Sequence, residues 1–165
     1  MGKHREHTSN SVWRHWHHDV PNDRMAHLVR DTSRLLARSL QARLSEYDVS
    51  FGHWAFLRIL WVRDGLTQAE LSEEAGVMAP TTFSALKAIE ARGFITKKKK
   101  PGNKQKIHIF LTPEGHGLKE LLTPLGEEVN GLALGGLTKA QKDVLRSALL
   151  HMIENLIDDP FFDEK

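Results

Sequence analysis

"LTQAELSEEAGVMAPTTFSALKAIEARGFI", Leu66 to Ile95, is the stretch that decides the fold. Thr67 with Glu70 three residues later has the pattern of a capping box, ahead of an apolar face of Ala69, Leu71 and Ala75. Gly76 stands where a helix ends on a residue of positive φ. Pro80 suits the first turn of the next helix, where a missing N–H is no loss. That helix carries Thr82, Ala85, Leu86 and Ile89 inward, with Phe83 alongside, and stops at Gly93. Two short helices joined by a turn of about four residues containing glycine have the geometry of a helix-turn-helix.

Outward from it lies "FITKKKKPGNKQKIHIFLT", Phe94 to Thr112. Two strand-like runs around the turn "PGNKQ" predict a β-hairpin. Lys97, Lys98, Lys99, Lys100, Lys104 and Lys106 gather there without an acid, so a chain of net charge +2 carries −4 elsewhere. A concentrated basic feature on a mildly acidic body implies an anionic partner, nucleic acid ahead of a membrane surface. A solvated surface turn explains the lysines alone, but not a lysine hairpin directly after a helix-turn-helix. The pair predicts double-stranded DNA as partner.

A recognition helix puts its N-terminal side chains against base edges in the major groove. Ala79, Pro80, Thr81, Ser84, Lys87 and Ala88 are the outward positions. Thr81 and Ser84 can hydrogen-bond to bases or phosphates, while Ala79 and Phe83 can meet thymine methyls. No Arg, Asn or Gln occurs in "VMAPTTFSALKAIE", so phosphate contacts, water and DNA shape must contribute more. Thr67 and the hairpin residues Lys97, Lys98, Lys99, Lys100, Asn103, Lys104, Gln105 and Lys106 complete the expected DNA-contacting set. Lysine is a point charge without a rigid fork, which suits it to phosphates.

The flanks are helical. Residues 1–20 read as a flexible arm with five His (His4, His7, His15, His17, His18) and Trp13 and Trp16. Residues 21–47 form a first helix, capped by Asn22 or Asp23, with Leu28, Thr32, Leu35, Leu36, Leu40 and Leu44 at helical spacing. Ser50 caps a second, nearly all-round apolar helix stopped at Gly65. Residues 48–112 are the winged helix-turn-helix, and 113–165 the C-terminal helices. There Pro124 should kink or interrupt a long helix, "NGLALGG" should break it, and Thr138 should cap the last one. The fold class expected is mainly α with a small β-hairpin wing between long flanking helices. Those amphipathic flanks exceed what one wing domain can cover, which predicts a homodimer to which Phe161 and Phe162 contribute.

Several chemistries are excluded or disfavoured. With no cysteine, thiol sensing and disulfides are impossible. No apolar run approaches the ~20 residues of a bilayer span, and the N-terminus lacks an apolar signal core, so a cytoplasmic protein is expected. No nucleophile–base pair or phosphate loop points to an enzyme. The His of the arm lack ligand partners at metal spacing, so no metal or other cofactor is expected.

The chain resembles the MarR (multiple antibiotic resistance) family of transcriptional regulators from about Asn22 to Ile157. "LTQAELSEEAGV", "LKAIEARGFI" and "LTPEG" carry the resemblance, matching L-T-x-x-E-L-A, L-x-x-L-E-x-x-G-L-V and L-T-x-x-G. It implies a dimeric winged helix-turn-helix repressor on a palindromic operator, released by a small molecule, often an aromatic acid. The family's wing usually carries Asp-x-Arg. Asn103 and Gln105 stand there instead, so a phosphate-clamping wing using Lys104 and Lys106 is expected. For the effector, Arg30, Arg34, His53, Trp54, Arg58 and Trp61 are the candidate contacts to an aromatic carboxylate or its coenzyme A thioester. An architectural DNA binder without an effector is the competing reading.

Overall fold

The computed structural model describes residues 25–100 and 103–160, with the side chains of 100–105 excepted. The arm of residues 1–20, the Asn22 or Asp23 cap, Phe161 and Phe162 lie outside the described residues. The order is α1 (Met25–Leu44), a 3₁₀ turn (Ser45–Tyr47), α2 (Phe51–Val62), β1 (Leu66–Thr67), α3 (Gln68–Ala75), α4 (Ala79–Ala91), β2 (Ile95–Lys100), β3 (Asn103–Leu111), α5 (Pro113–Ala133) and α6 (Lys139–Ile157). Two compact units result, one reaching Gly126 and the other starting at Glu127.

Local rules set most boundaries. Ser50 caps α2 by accepting the His53 amide at 3.1 Å. The α2 helix ends at Val62, short of the expected stop at Gly65, and Asp64 explains the difference. Its carboxylate accepts the amides of Gly65 at 2.9 Å and Leu111 at 3.0 Å, pulling the chain out of the helix toward the sheet. Gly65 then turns at φ +75°, where a Cβ would sit 2.6 Å from the Phe110 ring. Thr67 and Glu70 form the expected capping box on α3, and Gly76 ends that helix at φ +62°.

The hairpin becomes a three-stranded antiparallel sheet, ordered β1-β3-β2, because Leu66 and Thr67 pair with Ile109 and His108. The expected five-residue turn is too long. Lys100 pairs with Asn103, leaving Pro101 and Gly102, which lie outside the described residues. One sheet face carries Ile95, Ile109 and Leu111 into the core with Leu57, Leu60, Leu71, Leu86 and Ile89.

In the C-terminal part the helix is not interrupted at Pro124, and the expected break falls late in its stretch. The α5 helix continues through Pro124 and through Asn130–Ala133 of "NGLALGG", ending only before Gly135 and Gly136. A helix tolerates an internal proline when packing outweighs one lost hydrogen bond; Leu122 and Val129, on either side, are buried. Thr138 caps α6 in a box with Gln141, as expected. No residue of α6 is buried.

Candidate nucleic-acid interface

The α4 helix is positioned from beneath. Thr82, Leu86 and Ile89 are buried, and Ala85 is half-buried. The Thr82 hydroxyl lies 2.7 Å from Ser72 Oγ, and the Ser72 hydroxyl lies 3.0 Å from the Gln68 carbonyl. This part-buried polar link joins α3 to α4 and fixes the rotation of α4 about its axis. The opposite end is bracketed by Arg92. Its Nε donates to the Asp48 carbonyl at 2.9 Å and to Asp48 Oδ2 at 3.0 Å, while Nη1 donates to the Ala88 carbonyl.

That rotation leaves Ala79, Pro80, Thr81, Ser84 and Lys87 exposed, and Ala88 half-buried. Phe83 is 54% exposed on the same side. Thr67 stands differently from the rest of the expected set. It is half-buried, its Oγ1 accepts the Glu70 amide at 3.3 Å, and its hydroxyl donates to Glu70 Oε2 at 2.7 Å. Its side chain is occupied by the cap.

The lysines of β2 are not equivalent. Side chains alternate across a strand, so Lys97 and Lys99 share the face of Ile95 and Ile109, and Lys98 shares the other with His108. Lys97 Nζ donates to Glu90 Oε2 at 2.6 Å, a compensated and partly sheltered charge. Lys98, Lys99 and Lys106 are exposed. The side chains of Lys100, Asn103, Lys104 and Gln105 lie outside the described residues. The buried His108 of β3 is tied to the turn between α2 and β1, its Nδ1 meeting the Gly65 carbonyl at 3.0 Å.

Of the six effector candidates, Trp54, Arg58 and Trp61 meet one another on α2, and Arg30 and Arg34 lie on α1. Arg30 and Arg34 turn back on their own helix to Asp31, at 3.4 and 3.5 Å. Trp54 and Trp61 meet edge-on with centroids 5.4 Å apart, Trp54 is buried, and the Trp61 indole donates to the Gly115 carbonyl at 2.9 Å. Both rings serve the core between α2 and the start of α5. His53 Nδ1 is shielded without a hydrogen-bond partner. Burial, then the Arg92 charge, lower its pKa, against a smaller opposing effect of Asp48. Arg58 lies 5.9 Å from the Trp54 ring centre. It also lines a cleft of about 460 Å³ with Ala55, Ile59, Val62, Ala75 and the pair Arg63–Glu74, 3.2 Å apart.

Arg92, Glu90, Asp64 and His108 escaped the sequence reading. Only Arg92 left a signal there: a cation in the turn after a helix, facing the last carbonyls. Among the described residues there is no cluster of His, Cys, Asp and Glu able to hold a metal, and no helix long and apolar enough to cross a membrane.

Comparison with known proteins agrees with this geometry. Residues 49–107 match the model of the MarR family. The HTH-type transcriptional regulator YybA of Bacillus subtilis is 30% identical over 128 residues, covering 75% of this chain and 85% of that protein. A MarR family transcriptional regulator of Listeria monocytogenes, solved with a 26-mer DNA, superposes with a TM-score of 0.74 at 28% identity over 84% of this chain and 91% of its own. The HTH-type transcriptional repressor NicR of Pseudomonas putida is 22% identical, over 82% of this chain and 84% of its own. A winged sheet, a helix-turn-helix held by a capping box, and these relatives lead to one conclusion: the chain is a DNA-binding transcriptional regulator and belongs to the MarR family.

Proposed function

We propose that the chain is a cytoplasmic, homodimeric repressor that binds a palindromic operator and leaves it when a small aromatic acid, free or as its coenzyme A thioester, is bound. The observation that carries the DNA contact is the exposed face of α4, from Ala79 to Lys87, on the same unit as the solvent-facing Lys98, Lys99 and Lys106. In this reading α4 enters the major groove and the wing holds phosphates. Asn103 and Gln105, standing where the family's wing usually carries Asp and Arg, favour a backbone clamp over an arginine inserted in the minor groove.

The second copy is called for by α6. Val144, Ile153, Leu156 and Ile157 are each more than half exposed, and Leu145, Leu149 and Leu150 are about 40% exposed. A helix left to water with that stripe is an association surface. Two-fold pairing also matches symmetric half-sites. The repressor named among the relatives supports the sign of regulation.

For the effector, the cleft beside Arg58 is favoured over the set scattered across α1 and α2. Its apolar lining of Ala55, Ile59, Val62 and Ala75 suits a ring. Arg63 is engaged by Glu74, so Arg58 is the cation that remains for a carboxylate. Thermal melting against a panel of aromatic acids and thioesters, followed by DNA release, tests this. One compound should raise the melting temperature and dissociate the complex, and Arg58→Ala should lose both responses. DNA binding that no compound perturbs would favour the architectural alternative.

A further inference from the structure

We propose that this regulator reads its operator mainly through thymine methyl groups, with Phe83 as the central reader flanked by Met78 and Ala79. The inference rests on α4 being the major-groove helix, and it names what that helix recognises. The burial of Thr82, Leu86 and Ile89 turns Ala79, Pro80, Phe83, Ser84 and Lys87 outward at i, i+1, i+4, i+5 and i+8, one continuous helical face. Phe83 occupies its middle at 54% exposure, and Met78 stands at its N-terminal edge at 77%.

Three observations separate this patch from scattered surface hydrophobics, which are ordinary by themselves. Met78 is the N-cap of α4 and makes no side-chain cap hydrogen bond, so the position forgoes the stabilisation that Ser, Thr, Asp or Asn would supply. The face offers hydroxyls and one lysine, a point charge without a planar fork, but no Arg, Asn or Gln to read a base edge through a planar pair of hydrogen bonds. The nearest further hydroxyl, that of Thr82, is buried against Ser72 and unavailable. In addition, exposed lysines stand on the same unit at Lys87, Lys98, Lys99 and Lys106, so the occupant is a polyanion with apolar groups on an accessible edge. In a DNA major groove thymine supplies the only such group, its 5-methyl. A ring and a thioether packed on methyls withdraw apolar area from water on both sides.

The test uses the full chain and duplexes recovered by selection from a random pool, read by fluorescence anisotropy. Each thymine of a recovered half-site is replaced in turn by deoxyuridine, which deletes the methyl and leaves every hydrogen-bonding group. Removing one buried methyl should weaken binding about fourfold at one or two positions per half-site. Phe83→Ala should bind more weakly and show no difference between thymine and deoxyuridine at the position Phe83 reads. Phe83→Leu should keep part of the difference, and Ser84→Ala all of it. Equal binding of the wild-type chain to every thymine and deoxyuridine duplex would overturn the proposal, as would an undiminished penalty in Phe83→Ala. Failure to retain any duplex would instead overturn the major-groove reading on which the proposal rests.

Discussion

The unequal lysines of the wing make a quantitative prediction about salt. Each phosphate neutralised by a lysine steepens the fall of log K with log salt by about 0.9. Lys98 and Lys99 are exposed, whereas Lys97 already donates to Glu90 at 2.6 Å. With two copies on one duplex, Lys98→Ala with Lys99→Ala removes four contacts and should flatten the slope by about 3.6. Over a fourfold rise in salt the wild type should therefore lose roughly 100-fold more affinity than the double variant. Lys97→Ala removes a charge that Glu90 compensates and should change the slope by less than about one unit. The assay is anisotropy on one fixed duplex at four or five salt concentrations. A slope change for Lys97→Ala equal, per residue, to that of the double variant would refute the distinction. It would mean that Lys97 exchanges Glu90 for phosphate on binding.

Other consequences concern the scaffold. A Cβ on Gly115 would fall on the Phe94 carbonyl oxygen, and Gly115 also accepts the Trp61 indole N–H, so Gly115→Ala should cost about 3 kcal/mol and lower the melting temperature by roughly 10 °C. Gly117→Ala, in the same helix with open space at its Cβ, should instead raise stability by about 1 kcal/mol. The Thr67 amide, then its hydroxyl, hold the Glu70 carboxyl below its ordinary pKa. A depressed carboxyl adds stability that is complete above its ordinary, unfolded-state pKa and is lost as pH falls from there through the folded value. The gap in melting temperature between wild type and Glu70→Gln should therefore narrow on acidification from pH ~7 to below ~4; a constant gap would remove the charge from the cap.

What the chain disclosed before any coordinates was what is local. The Thr67–Glu70 box, Gly76, the Ser50 and Thr138 caps and the apolar alternation of β3 each depend on residues within a turn or on the same strand. The misses involve partners distant in sequence or features too short to show a period. The β1 strand has two residues, below the length at which alternation can register, and exists because β3 offers a free edge. Glu90 meets Lys97 across seven residues, and Arg92 meets Asp48 across forty-four. The surroundings of two effector candidates were equally hidden from the sequence reading. Asp31 meets Arg34 three residues on, at the spacing of neighbours on a helix surface, and Arg30 Nε also lies 3.4 Å from its carboxylate. Pro124 leaves α5 uninterrupted, with Leu122 and Val129 buried on either side of it.

The central claim is that two copies of this chain grip one duplex through α4 and a lysine wing. Sedimentation of the purified protein with a selected duplex tests it most directly. The account predicts a protein that sediments as a dimer at micromolar concentration without DNA and a complex of two chains per duplex, on a sequence with two-fold symmetry. A single chain per duplex, or a selected sequence without that symmetry, would contradict it.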